Sequence, residues 1–413
     1  MAKYTRKRVA LAKVESTYGT DASPTGAANA IQISAPTITP LAGGTVKRDL
    51  VRDALGADPA IHVGSHVLVG FGVEIAGAGA AGTAPAYGAL LRGCAMAETA
   101  VTDVATIQDS PPTGVGGPTG TFTYTKTTKS SGLVKRTVTL TCTTGGGSGV
   151  AAFTVAAPAT VFDAAYNQTA VVMTDASAFA LPNGAEITPT VGTDFVTNDV
   201  FTIDLTPERV DYDPVSASEE SVTIYFNVDG TRHALLGARG NVTLSFPPND
   251  IPRYQFAFTG LWADPSETAA PTPDFSSFLT PLAVSKTNTS AFTLHGFSAV
   301  LEELSLNLGN VIEHRDRVNS EAVLRTDRQG DGQVSFEAPP VSTKNFFTIA
   351  KANTLGALQV IHGTATGNIV QIDAPKAQIL EPGYGDSQGL TLIQANLLTA
   401  PDAGDDDIKI SVK

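Results

Sequence analysis

Residues 222–228 read Val-Thr-Ile-Tyr-Phe-Asn-Val and run directly into Asp229-Gly230. Successive side chains of a strand point to opposite faces, so Val222, Ile224, Phe226 and Val228 share one side and Thr223, Tyr225 and Asn227 the other. Asp-Gly then supplies a hairpin turn, because glycine takes positive φ without steric cost. The same period of two recurs in Val67-Val69-Phe71-Val73-Ile75, Val242-Leu244-Phe246, Leu304-Leu306-Leu308 and Ile408-Ile410-Val412. Helical spacing is confined to two places. Tyr87, Leu90, Leu91 and Cys94 follow i, i+3, i+4, i+7 behind Pro85, and Phe346, Ile349 and Ala350 do so after Ser342, a candidate N-cap. The pattern predicts an all-β chain with minor α.

Composition narrows the function. Only 16% of the 413 residues are charged, while 39 Gly and 25 Pro supply turns between short strands. The net charge of −13 leaves no basic face with which to displace phosphate counterions, so specific nucleic-acid binding is not expected. One Trp and three Met leave little material for an aromatic-lined pocket, and no cofactor is expected. The basic start, Lys3 to Arg8, is not followed by the apolar run of a signal peptide. No segment approaches the ~18 apolar residues of a membrane span. Cys94 and Cys142 fall in segments assigned to different domains and read as two reduced thiols, with a disulfide as the alternative.

Two shifts in composition divide the chain. Residues 101–214 are rich in Thr, Gly and Ala, with turn clusters at Pro111-Pro112 and Gly145-Gly146-Gly147. Short strands there (Phe122-Tyr124, Val138-Leu140-Cys142, Phe153-Val155, Phe201-Ile203-Leu205) predict a small inserted β-sandwich, and the segment resembles small Ig-like or related sandwich modules. With that segment set aside, an order of elements appears twice: a strand, a charged arm, a strand, a helix and three strands. The first copy is expected in 1–100 with 215–265, using strands at 67–75, 222–228, 232–236 and 241–246 and a helix from Tyr87 to Met96. The second is expected in 266–413, with strands at 301–308, 333–337, 358–362, 368–373 and 377–380 and a helix from Asn345 to Asn353. The arms carry Arg48, Asp49, Leu50, Val51, Arg52 and Asp53 in the first copy and Arg315, Asp316 and Arg317 in the second. A bland reading makes them solvated loops. The alternative is docking on a neighbouring subunit, with alternating charge setting register and apolar spacers adding contact.

Catalytic patterns fail on their own terms. His314-Arg315-Asp316 lacks the other parts of a kinase loop, and His62 with His66 has no third ligand in reach. Residues 326–332 lack the ligand positions of a calcium loop, and Asp405-Asp406-Asp407 reads as a solvated turn. No catalytic or metal residue is expected, and the chain does not read as an enzyme.

Several local runs together carry a family resemblance. These are Glu15-Ser16-Thr17-Tyr18-Gly19-Thr20-Asp21, Thr39-Pro40-Leu41, Arg48-Asp49-Leu50-Val51-Arg52, and Ala80-Ala81-Gly82-Thr83-Ala84-Pro85-Ala86-Tyr87-Gly88 leading to Leu90-Leu91-Arg92-Gly93-Cys94. This set resembles the major tail tube proteins of phages with long non-contractile tails, closely over the first hundred residues and more loosely over 215–413. The resemblance implies two tail-tube-type β-sandwich or barrel units, each with a flanking helix. It also implies a virion protein, assembled in the bacterial host cytoplasm, whose subunits form stacked rings around passing DNA. Partners would be further copies of the chain, the tape measure, the tail terminator and distal tail proteins. With two units per chain, three chains would supply six wall positions in a pseudo-sixfold ring. A β-sandwich adhesin, or another virion ring protein such as a terminator, is the competing reading.

Overall fold

The alternating segments pair into two sheets with the same strand order. The computed structural model describes residues 3–51, 53, 55–101, 104–110, 120–126, 136–157, 166–181, 185–190, 194–206 and 208–413. The first copy starts with β1 (Arg8–Val14), the short α1 (Gly26–Asn29), β2 (Ala30–Ile31), β3 (Ser34–Val46), β4 (Ile61–Glu74), α2 (Gly88–Gly93) and β5 (Met96–Val101). The inserted segment holds β6 (Val104–Ser110), β7 (Thr121–Lys126), β8 (Arg136–Thr144), β9 (Ala152–Ala157), β10 (Tyr166–Val172), β11 (Phe179–Ala180), β12 (Ala185–Thr190) and β13 (Val200–Thr206). The first copy resumes with β14 (Arg209–Pro214), β15 (Val222–Val228), β16 (Thr231–Phe246), β17 (Arg253–Trp262) and β18 (Ser266–Glu267). The second contains β19 (Thr289–Leu294), β20 (Phe297–Ser298), β21 (Leu301–Asn307), β22 (Asn310–Arg317), β23 (Ser320–Arg328) and β24 (Asp331–Glu337). It ends with α3 (Phe346–Lys351), β25 (Leu355–His362), β26 (Val370–Ser387), β27 (Leu390–Ala400) and β28 (Lys409–Val412). The fold is all-β with minor α.

Across the first sheet the order is β1-β15-β16-β17-β4-β3, and across the second β19-β25-β26-β27-β24-β21, antiparallel throughout. Even the short strands correspond. β2 pairs with β1 and β18 with β16, as β20 pairs with β19 and β28 with β26. Each long strand also carries a bulge in the same place, between Leu235 and Ala238 in β16 and between Ala374 and Ala377 in β26. With the bulges superposed, Gln255 (between Thr243 and Gly72) occupies the position of Gln394 (between Gly383 and Ser335).

Bulges also explain where strand prediction fell short. Segments 232–236 and 241–246 are one strand, and so are 368–373 and 377–380, because a bulge interrupts the alternation without ending the ladder. Both helices are shorter than expected. α2 stops before Ala95, whose φ of 59° ends the helical path. Leu90 and Leu91 are fully buried, and burying such side chains contributes about 1.5–3 kcal/mol each. The N-cap of α3 is Asn345 rather than Ser342: its side chain accepts the Thr348 N–H at 3.0 Å. Phe346, the first residue of α3, packs edge-on against Phe336 with ring centroids 4.8 Å apart.

Met1–Thr99 with Asp211–Val412 form one compact unit and Ala100–Val210 another. Both copies therefore share a unit, joined through pairing of β16 with β21. Tyr212 and Asp211, expected in the insertion, are built into the body. Tyr212 is buried with its hydroxyl on Glu98 at 2.7 Å, and Asp211 binds Ser411 at 2.6 Å and Lys409 at 2.8 Å. The inserted unit has sheets β10-β9-β8-β13-β6 and β11-β12-β7. Phe122 and Ile187 from the smaller sheet and Val138, Phe153 and Phe201 from the larger meet in one core, which makes it a sandwich. Cys94 and Cys142 are buried free thiols, and burial pushes the Cys94 thiol up.

Candidate functional site: two arms and an open edge

Each arm is a hairpin between equivalent strands. In the first copy β3 and β4 stay paired out to Val46 and Ile61, and residues 47–60 cross the tip. Arg48, Asp49, Leu50, Val51 and Asp53 are exposed on that tip, and Arg52 lies outside the described residues. Asp58 accepts the Leu50 N–H at 3.1 Å, which pins one side of the loop to the other. The apolar spacers find no core: Val51 and Leu55 are fully exposed, and Val46, Leu50 and Ile61 about half exposed.

The second arm is a separate two-stranded hairpin of β22 and β23 that turns at Val318-Asn319, rather than the solvated loop of the bland reading. Asn319 accepts the turn at φ 66°, a conformation asparagine tolerates better than most residues. Arg315, Asp316 and Arg317 are exposed near this tip. Lower down, the hairpin packs on β16, β17 and β4 of the first copy. His314 stacks on His66 of β4 with ring centroids 4.8 Å apart, and its Nε2 lies 3.1 Å from Glu321.

Polar anchors hold the stem of that hairpin. Arg325 forks onto Glu219, with Nε at 2.8 Å, and donates to the Val215 carbonyl at 2.6 Å. Tyr18 accepts the Val323 N–H at 2.6 Å, and Arg239 donates to the Val323 carbonyl at 3.0 Å while stacking over the Tyr18 ring. The Asn310 side chain donates to the carbonyls of Cys94 at 2.8 Å and Gly240 at 3.1 Å. Arg328 sits 2.9 Å from both Asp405 and Asp407, so the acidic turn near the C-terminus is tied down rather than simply solvated. Burial raises the Asp407 carboxyl, against the pull of Arg328.

The described residues of the two predicted arms lie at hairpin tips, while the anchors of the stem were not anticipated from the sequence. Arg325 and Glu219 are 106 residues apart, and no local spacing marks such a pair. The sheet edges were not anticipated either. Among the described residues β3 pairs with β4 alone, and residues 379–387 of β26 have β27 on one side and no partner on the other. Beside that edge lies a polar groove lined by Glu303, Ser305, Gln333, Ser335, Glu381 and Gln394. Among the described residues no cluster of three or more metal-ligating side chains occurs, and no helix is long and apolar enough to cross a membrane.

No curated protein matches the chain. A family model described as phage tail tube protein matches residues 185–412. That span includes the second copy, the resumed part of the first and the last strands of the insertion. The resemblance noted in the sequence lay mainly in the first hundred residues, outside the match; repeated sheet order connects the two regions. Since the match covers more than half of the chain, the chain belongs to the phage tail tube protein family, a family of tail structural proteins.

Proposed function

We propose that three copies of the chain close into a pseudo-sixfold ring, and that rings stack into the tube through which the phage genome is delivered. The observation that carries this reading is the doubled sheet, because one chain presents the same strand order twice and so supplies two similar wall positions. Closed rotation gives rings, and head-to-tail stacking without closure gives a filament. The arms extend from both wall positions with exposed Arg48, Asp49, Leu50 and Val51 on one tip and Arg315, Asp316 and Arg317 on the other. They are the surfaces assigned to docking between subunits and rings, with Arg52 and Asp53 completing the first. Tape measure, terminator and distal tail proteins would meet the tube inside and at its ends. Assembly would take place in the host cytoplasm. A net charge of −13 favours a conduit that does not hold DNA.

Electron microscopy of assembled tubes tests the stoichiometry: three chains per ring with alternating wall positions is expected, and strict sixfold rings with one chain per position would refute it. The inserted unit has its own core, so a variant joining residue 100 to residue 209 by a short linker should still form rings.

A further inference from the structure

Two pairings join the copies, β14 with β28 and β16 with β21, and the second of these is a completed edge-to-edge seam between the two long sheets. On the edge of β16, beyond β15, residues Thr243, Leu244, Ser245 and Phe246 pair with Asn307, Leu306, Ser305 and Leu304 of β21. Leu244 and Leu306, facing each other across this seam, are 1% and 0% exposed. Among the described residues the corresponding stretch of β26, beyond β25, has no partner, and neither does the outer edge of β3, which corresponds to β21. The chain thus carries the two halves of a second such seam at opposite ends of its doubled sheet.

We propose that β26 of one copy pairs with β3 of the next in the register of the internal β16–β21 seam. This rests on the ring reading above and specifies which edges meet. Beyond the shared bulge β26 carries a second one, between Leu380 and Gly383, that β16 lacks, so the Gln255 and Gln394 rows fix the partners: Gly383 faces Thr39, Tyr384 faces Ile38, and Gly385 faces Thr37. Tyr384 and Ile38 take the places of Leu244 and Leu306. Tyr384 is 66% exposed in the single chain and Ile38 is half-buried, so pairing covers an aromatic ring that the chain alone leaves in water.

The edge is also guarded in the manner of natural edge strands. Pro36 and Pro40 bracket Thr37–Thr39 and cannot donate to a ladder, and Arg8 caps the Pro36 carbonyl at 2.9 Å. They confine the pairing to a short, single register, which suits a specific joint and discourages sheet extension.

A disulfide tests the register, because directly opposed residues of antiparallel strands lie within bridging distance. Thr39 is exposed, and a Cβ at Gly383 would meet nothing closer than 4.0 Å, so the T39C/G383C variant is sterically open. Cys94 and Cys142 are buried and do not compete. Oxidation of assembled T39C/G383C protein should remove the monomer band on a denaturing gel and yield a covalent trimer. A T37C/G383C control, slipped by two residues, should stay monomeric. Rings that form but remain uncrosslinked, or that crosslink equally in the slipped variant, overturn the edge assignment and leave the ring reading standing. Wild-type protein that sediments only as a monomer and shows no rings under the microscope overturns both.

Discussion

The two arms leave equivalent strands and end in different states. The second lies across the first copy's sheet, with Val323 buried and its stem held by Arg325, Tyr18 and Arg239. The first reaches out from β3 and β4 with Leu50, Val51 and Leu55 exposed. Arm strength does not explain the contrast: the second arm rests on the first copy's β4, β16 and β17, and the first arm's tip has no such surface among the described residues. A chain that carries the sheet twice internalises one set of contacts between its copies and leaves the matching set on its surface. Stability should therefore concentrate around the second arm and assembly around the first.

The largest expected loss comes from Glu15, which underlies the support of the second arm. Its buried carboxylate accepts from Gly19 N at 2.8 Å, Ser221 Oγ at 2.7 Å, Thr223 Oγ1 at 2.8 Å and Gly237 N at 2.8 Å. It thereby fixes both the β16 bulge and the turn that presents Tyr18. Glu15→Ala strands these donors in a dry site, at roughly 1–3 kcal/mol for a buried group left unsatisfied. Urea denaturation should show a loss of about 3 kcal/mol or more; a loss under about 1 kcal/mol would mean water replaces the carboxylate.

Arg325→Ala should cost slightly less and act more locally. It leaves the largely shielded Glu219 with Arg239, 3.7 Å away, as its remaining counter-charge among the described residues. Breaking a fully buried pair costs about 3–5 kcal/mol, and a loss of about 2–3 kcal/mol is expected here because both side chains keep some exposure and Arg239 remains. Amide exchange should accelerate across residues 310–328 before the sheets themselves. Uniform acceleration would show that the hairpin is not a separate element.

What the sequence made legible follows from how far each signal reaches. Alternation in 222–228 or 242–246 is local, and those strands stand where they were expected. The repeat was visible as an order of elements because each arm and helix has its own composition. Strand continuity through Gly237 or Pro375 was hidden, since a bulge looks locally like a turn. The hairpin nature of the second arm was hidden too, because Glu313 to Arg317 carries charges where a core-facing strand would alternate. Its register is set by Val323, Arg325 and partners more than a hundred residues away. The open edges could not be read at all, because an edge is defined by a strand that is absent.

Acid should weaken the second copy through two histidines. Burial lowers the proton affinity of His362, which lies between Thr289 and the Leu282 carbonyl, and of His295, bonded to the Ala377 carbonyl at 2.9 Å. Both have folded-state pKa values below the ordinary 6.5. Below that pH the unfolded chain binds protons that the folded chain does not, so stability falls as pH drops from 6.5 through the folded values. His362→Gln should flatten this acid limb in melts between pH 7 and 5. An unchanged slope would place the acid sensitivity elsewhere, for instance at His233, whose pKa burial also lowers.

The smallest effect on stability should accompany a large effect on assembly, and it falls on the first arm. Arg48 is exposed, so reversing it to Glu together with Arg52→Glu should change unfolding free energy by no more than about 0.5 kcal/mol, as for ordinary surface positions. If the tip docks on a neighbour, the same reversal puts like charges in contact, where close interfacial pairs couple by about 1.5 kcal/mol or more. At a lattice of repeated contacts that penalty recurs at every ring, so sedimentable tubes should fall sharply while the thermal melt stays put. Arg315→Glu with Arg317→Glu provides the matched comparison, because those residues sit at the tip of a hairpin whose stem is already held within the chain. Its assembly defect should be the milder of the two. Equal defects would show that both tips dock alike and that the internal contacts of the second arm stop short of its end. Normal tubes from the Arg48 and Arg52 variant would return the first arm to solvent, leaving its exposed Val51 and Leu55 without a role.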